Sequence, residues 1–309
     1  MDVSIIIVHY NTKDLLEACI ESILEHVTGI EYEIIVVDNN SPDRSCEKLP
    51  RKFPSVKFYL LEENLGYGGG NNYGFYKSSG KYILLLNPDT LFRENSLKTL
   101  ITFIEVNPDV GVVGPKLLNT DLSFQRSYGK YFNFIKEIFK FFHLYNLYCR
   151  LIWSLYEKRK VDNLKYFEVD WVSGAALFIR RSIYREFKGF DRAYFLYYED
   201  VDLCARIKKS GWKILYLPRT NIIHIRGSST QKYPFSLILG RYKGSLIFAN
   251  KHLRFYQRLL LKNMIILEIL TRMLITMFVP IYTKCTRIER LKGYSESLKV
   301  YLNRSTPQN

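Results

Sequence analysis

Val3 to His9 is a continuous run of mostly β-branched apolar residues. A strand that is apolar on both faces has to be covered on both faces, which is the condition inside a parallel sheet. Residues 13–27 follow with Leu15, Leu16, Ala18, Cys19, Ile20, Ile23 and Leu24 at helical spacing, and Tyr32 to Asp38 then repeats the strand pattern. Strand, helix and strand in this order make a βαβ unit, so the chain is expected to be an α/β protein. The alternation continues with a strand at Val56–Leu60, a glycine-rich stretch, a short helix near 71–79 and a strand at Tyr82–Leu86. In open α/β sheets ligands bind at the carboxyl ends of the strands, so Tyr10, Asn11, Asp38 and Asp89 are expected to converge on one crevice.

The chain has 309 residues and a formal net charge of +15, which at first suggests a polyanionic partner. The distribution argues otherwise. Residues 1–122 carry 11 basic and 17 acidic side chains, whereas residues 123–309 carry 34 basic and 13 acidic. An acidic first portion would repel a polyphosphate laid across it, so an anionic partner should meet the second portion, and a membrane with anionic headgroups satisfies that as readily as DNA. A mean hydropathy of -0.11 excludes a protein built of many membrane spans, and 15% aromatic residues exclude a disordered solvating chain. The five cysteines are scattered without a C-x-x-C pair, which argues against a structural zinc site or a disulfide framework and for a reducing compartment. No basic region precedes the first apolar run, which is therefore expected to be a strand and not a signal peptide.

Four segments carry chemistry. Asn64-Leu65-Gly66-Tyr67-Gly68-Gly69-Gly70-Asn71-Asn72 is rich in glycine but does not follow the first strand, so it is not a dinucleotide fingerprint. It is expected to bring backbone close to a ligand, or else to be a plain turn. Asn87-Pro88-Asp89 caps a buried strand, where Asp89 is either a turn former or a carboxylate able to reach a divalent cation on a diphosphate. Glu199, Asp200 and Asp202 place three carboxylates within four residues, which favours a raised pKa suited to a general base. If 200–209 is helical, Asp202 pairs with Arg206 and leaves Glu199 and Asp200 facing outward from the first turn, where they would also complement the helix dipole. His224 lies in an isoleucine-rich strand, as a core residue or as a ligand in company with others.

Taken together, Val3–Asn11, Val36–Ser41, Asn64-Leu65-Gly66, Leu86–Thr90, Trp171–Ala175, Gly189-Phe190-Asp191, Glu199–Cys204 and His224–Gly227 resemble, in order, the motifs of a family 2 glycosyltransferase of the bacterial rhamnosyltransferase-like branch. The resemblance implies a GT-A (Rossmann-like) fold with a mostly parallel central sheet. By it, Asp38 would bond the nucleotide base and Tyr10, beside Asn11, would pack against it. Asn64, at the Asn64-Leu65-Gly66 motif, and Asn71 would line the base and ribose pocket. Asp89 corresponds to the last carboxylate of a D-x-D metal motif whose first acidic position is here Asn87. His224 would complete a site for Mg2+ or Mn2+. Asp200 matches the catalytic base, Glu199 would shape the base or bind the acceptor, and the motif of Trp171 and Gly174 would lie near the acceptor side.

The implied domain is 1–231, with a donor-binding half at 1–122, an aromatic and basic insertion at 123–168 and an acceptor half at 169–231. A basic amphipathic helical region follows at 232–309, with 14 basic and 3 acidic side chains. The insertion fits a helical hairpin packed on the core, a lipid interface or, as the minor alternative, a single-strand nucleic-acid platform. Met264 to Tyr282 is the most apolar stretch, yet Glu268 and Arg272 interrupt it, so it suits a surface-lying helix on anionic lipid and not a spanning one. The expected activity is inverting transfer of a sugar, with rhamnose a candidate, from a dTDP- or UDP-linked donor to a saccharide or polyprenyl-diphosphate-linked acceptor for cell-surface polysaccharide. The expected location is cytoplasmic, peripheral on the inner face of the membrane. A catalytically silent sugar-nucleotide binder and a basic nucleic-acid-binding protein are the alternatives.

Overall fold

A computed structural model describes residues 1–43, 45–131, 144, 147, 151, 158–225, 234–278 and 287–302. The chain divides into two compact units, one comprising residues 1–131, 163–192 and 199–229, the other 132–162, 193–198 and 230–309.

The first unit opens with β1 (Val3–His9), α1 (Lys13–His26), β2 (Tyr32–Asp38), the short α2 (Leu49–Lys52), β3 (Val56–Leu60), α3 (Gly66–Tyr76) and β4 (Tyr82–Leu86). It continues through β5 (Thr90–Phe92), α4 (Ser96–Glu105), β6 (Val110–Leu118), β7 (Phe124–Gln125) and β8 (Tyr128–Gly129). After α5 (Lys158–Asn163) come β9 (Phe167–Glu168), β10 (Trp171–Val172), β11 (Ala176–Arg180), α6 (Arg181–Glu186), α7 (Glu199–Lys209) and β12 (Lys213–His224). The central sheet runs β3-β2-β1-β4-β11-β6-β12-β5, with β7 added on β6 and β9 on β12. Pairings β3-β2-β1-β4 and β6-β12 are parallel, while β11 and β5 run antiparallel to their neighbours. All seven residues of β1 are buried, as its apolar run requires. An α/β unit with a mostly parallel central sheet and a helical C-terminal extension is the architecture expected from the sequence.

The glycine-rich segment differs from the expectation. The short helix near 71–79 is instead Gly66–Tyr76, so most of the glycines lie within it. Helix propensity argues against such a sequence. Packing overrides propensity here, because a Cβ on Gly70 would stand 2.8 Å from Val8 Cγ1 and one on Gly74 would stand 2.5 Å from Ile6 Cγ2. The glycines on this face let α3 lie directly on β1.

In the second unit α8 (Pro234–His252), α9 (Phe255–Phe278) and α10 (Arg287–Leu302) bury a cluster of Tyr242, Ala249, Leu261, Ile265, Ile269, Tyr294 and Tyr301. The charges that interrupt the apolar stretch of α9 satisfy each other, since Arg272 Nε donates to Glu268 Oε1 at 2.8 Å. Among the described residues no helix is long and apolar enough to cross a membrane. Residues 193–198 pack on α8, where Gly244 leaves room for the Tyr197 carbonyl, 2.7 Å from where a Cβ would sit. Half of the 123–168 insertion, within 132–157, lies outside the described residues.

Candidate functional site

The parallel register places His9 opposite Asp38, so the carboxyl ends of β1 and β2 are level. Buried Asp38 accepts a hydrogen bond from Ser41 N at 2.8 Å through Oδ1, and Ser41 Oγ accepts one from Asn11 N at 3.0 Å. Asn11 has φ 54°, which asparagine tolerates, and this lets the chain turn sharply out of β1 beside the partly buried Tyr10. Asn39 binds the next loop: its Oδ1 accepts from Leu65 N at 2.9 Å, and its Nδ2 donates to Asn64 Oδ1 at 2.9 Å and to the Gly66 carbonyl at 3.0 Å. Asn64 and Gly66 are thereby held next to Asp38. Asn71 is fully buried and bonds within α3, donating to the Tyr67 carbonyl at 2.9 Å, while its Oδ1 has no hydrogen-bond partner among the described residues. His9 is also buried, and burial pushes its pKa down despite the nearby Asp38 and Asp43. Ligand-type atoms of His9, Asp38 and Cys46 lie within 4.8 Å of one another, and this is the three-ligand grouping among the described residues.

A second set assembles where β12 runs antiparallel to β5, opposing His224 to Thr90. His224 Nε2 is 3.3 Å from Asp89 Oδ1 and 3.4 Å from Asn87 Nδ2, although 137 residues separate Asn87 from His224. On the other side of the ring, His224 Nδ1 meets Gln125 Oε1 at 2.6 Å, and Gln125 Nε2 donates to the His224 carbonyl at 2.9 Å. An acceptor at Nδ1 puts the ring proton there and leaves the Nε2 lone pair facing Asp89, the usual arrangement behind a metal-binding histidine. The donors present, one imidazole nitrogen and one carboxylate oxygen with an asparagine amide beside them, therefore fit a divalent cation.

The third set surrounds the start of α7. Asp200 Oδ2 accepts from Gly174 N at 2.8 Å, and its Oδ1 accepts from Val201 N at 2.8 Å. Tyr67 OH donates to the Gly174 carbonyl at 2.5 Å, so α3, the Gly174 loop and the Asp200 carboxylate form one chain of contacts. Glu199 does not face outward as expected. It is buried, and its Oε2 has no hydrogen-bond partner among the described residues. The outward placement fails because Gly68 brings α3 against this turn, a Cβ there lying 3.8 Å from Glu199 Cβ. Burial raises the pKa of Asp200, with the two backbone N–H groups opposing it. Burial first and the Asp200 charge second hold Glu199 well above its ordinary value. Two adjacent carboxyls in such a site do not both ionise readily. The N–H donors and the positive end of α7 favour the charge on Asp200 over Glu199. The expected Asp202–Arg206 pair is present at 2.7 Å, and Arg206 also donates to the carbonyls of Phe187 and Gly189.

Trp171 lies in the β10–β8 ladder, paired with Gly129, its ring nitrogen 3.4 Å from the Lys130 carbonyl. Tyr67, Gln125 and Asn39 escape sequence reasoning as site residues. Asn39 adjoins a recognised aspartate and is recoverable, but Gln125 and Tyr67 act on partners 99 and 107 residues away and carry no local signal.

The sequence model of glycosyl transferase family 2 matches residues 4–187. The N-acetylglucosaminyl-diphospho-decaprenol L-rhamnosyltransferase of Mycobacterium tuberculosis (strain CDC 1551 / Oshkosh) is 28% identical over 261 residues, covering 80% of this chain and 84% of the relative. Rhamnosyltransferase WbbL of Escherichia coli (strain K12) is 26% identical over 232 residues, covering 72% of this chain and 83% of the relative. In structure the chain is similar to the mannosyltransferase PcManGT from Pyrobaculum calidifontis, solved with GDP-Man and Mn2+. The TM-score is 0.58 at 14% identity, covering 96% of this chain and 86% of that one.

Proposed function

The chain belongs to glycosyl transferase family 2, and from that premise we propose that it moves a sugar, rhamnose first among the candidates, from a dTDP- or UDP-linked donor to a lipid-linked or saccharide acceptor in cell-surface polysaccharide synthesis. That it is a glycosyltransferase with a GT-A fold is the established part. The rhamnose and the polyprenyl-diphosphate acceptor are carried over from the rhamnosyltransferase relatives, whose names specify them. A lipid-linked acceptor would place the work at the inner face of the cell membrane.

The observation that carries the proposal is the Asp200 carboxyl, fixed by two backbone N–H groups next to the buried Glu199, whose pKa burial and the Asp200 charge hold well above its ordinary value. Asp200 takes the proton of the acceptor hydroxyl as that oxygen forms a bond to the anomeric carbon. The bond from that carbon to the diphosphate oxygen breaks in the same step, and its electron pair leaves with the diphosphate. One in-line displacement inverts the anomeric centre and requires no covalent sugar on the enzyme. With Glu199 neutral and Asp202 paired with Arg206, no further unpaired negative charge at the turn repels an anionic donor.

Asp38 and Asn64 are suited to bonding the nucleotide base, with Tyr10 against it and Asn11, Gly66 and Asn71 shaping the pocket. Trp171 and Gly174 belong to the acceptor side. Asp89 and His224, with Asn87 beside them, would hold Mg2+ or Mn2+, which when bound supplies positive charge to the departing diphosphate.

Asp200→Asn tests the proposal. The variant should lose transfer by roughly a thousandfold, in the middle of the usual range for a single general base, and still bind donor nucleotide. Undiminished turnover would remove Asp200 from this role, and turnover absent from the unsubstituted protein with all donors would favour a silent sugar-nucleotide binder.

A further inference from the structure

Helix α9 packs one face into the three-helix cluster through Leu261, Ile265, Glu268, Ile269 and Thr276. Its opposite face carries Tyr256, Leu260, Leu267, Leu270, Leu274 and Met277, which are between 39% and 60% exposed. These positions recur every three or four residues and form one stripe, interrupted by the uncharged Asn263 and containing no charged residue. A helix of this length runs for about 36 Å, so the stripe is far larger than the scattered single hydrophobics of an ordinary surface.

We propose that this outward face of α9 is a docking surface for an anionic lipid bilayer, with the helix lying in the plane of the headgroups. The proposal deepens the reading of a lipid-linked acceptor and rests on it for its purpose, though its evidence is independent. Helices α8, α9 and α10 carry 10 basic and 3 acidic side chains, and one of the acids, Glu268, is buried against Arg272. Charge decides between the occupants of such a stripe. A second copy would bring two strongly basic helical units together, and the acidic flanking residues that normally pair a helical seam are lacking. Anionic headgroups complement the same charge and accept the apolar stripe at the acyl boundary. The helix has 24 residues, but among the described residues no helix is both long and apolar enough to cross a membrane.

The test is flotation of the full chain with vesicles of phosphatidylcholine and phosphatidylglycerol, compared with vesicles of phosphatidylcholine alone. The unsubstituted protein should float with the mixed vesicles, and less so as salt is raised. Leu267→Glu and Leu274→Glu, both on the exposed face, should lower the floated fraction at least tenfold while leaving the thermal midpoint and donor hydrolysis in solution unchanged. Variants that float like the parent would overturn the proposal. So would a parent that ignores both vesicles and elutes as a dimer that Leu270→Glu dissociates. Flotation requires no donor, so a protein that floats without ever turning over a sugar nucleotide would sink the transferase reading and leave this one standing.

Discussion

Asp200 and its immediate neighbours show how a carboxylate acquires a task from its surroundings. Its two oxygens accept N–H groups from Gly174 and Val201, and Tyr67 anchors Gly174 from the other side. Tyr67 is thus a positioning residue. Tyr67→Phe removes a hydrogen bond worth about 1 kcal/mol, so turnover should fall by roughly 5- to 10-fold. The Kd for donor nucleotide should scarcely move, and a loss confined to donor affinity would refute the positioning role. The raised pKa of Asp200 also makes a prediction for pH. On the proposed mechanism Asp200 would work only when deprotonated, so activity should be gained as pH rises through that pKa. The acidic limb of kcat/KM should therefore lie above the ordinary aspartate value of about 3.9. A limb at or below the ordinary value would show that burial does not govern this group. The sequence made the cluster of Glu199, Asp200 and Asp202 visible, but not which member keeps the proton, because that depends on amide donors distant along the chain.

At the scale of elements, α3 is the least expected feature. Its glycines make it a poor helix in isolation, and it exists because small residues let its backbone meet β1. Replacing Gly74 by Ala weighs two effects against each other. Helix propensity would favour Ala by about 1 kcal/mol, whereas a Cβ 2.5 Å from Ile6 Cγ2 forces overpacking that costs about 1–3 kcal/mol. Ile6 is fully buried at the centre of the sheet and has little room to give, so the variant should be less stable, read as a lower urea midpoint with an unchanged slope. A midpoint at or above the parent value would show that the sheet yields. The strands at Val3–His9, Tyr32–Asp38 and Tyr82–Leu86 were legible to the residue because burial on both faces leaves a nearly unbroken apolar run, whereas Val56–Leu60, an edge strand that is only partly buried, was legible from its place in the alternation. The extent of α3 was not, since a helix stabilised by close approach shows no hydrophobic period.

For the whole molecule, charge is uneven along the chain, acidic over residues 1–122 and basic over residues 123–309. Sugar nucleotide with Mn2+ or Mg2+ should raise the thermal midpoint, and duplex DNA should not at physiological salt. Stabilisation by DNA alone would revive the nucleic-acid alternative. By itself the sequence determined the α/β class, the order of the strands along the chain and the residue types available at the strand ends, because these follow from local burial patterns and turn chemistry. Only the tertiary structure decided which of those residues meet. Sheet order brings β12 beside β5, and so His224 to Asp89. The packing of α3 brings Tyr67 to Gly174 and buries Glu199, and the three-helix cluster decides which face of α9 is left outward. Each of these contacts joins residues far apart in the chain, and their energies are set by approach distance and burial, which no local pattern encodes.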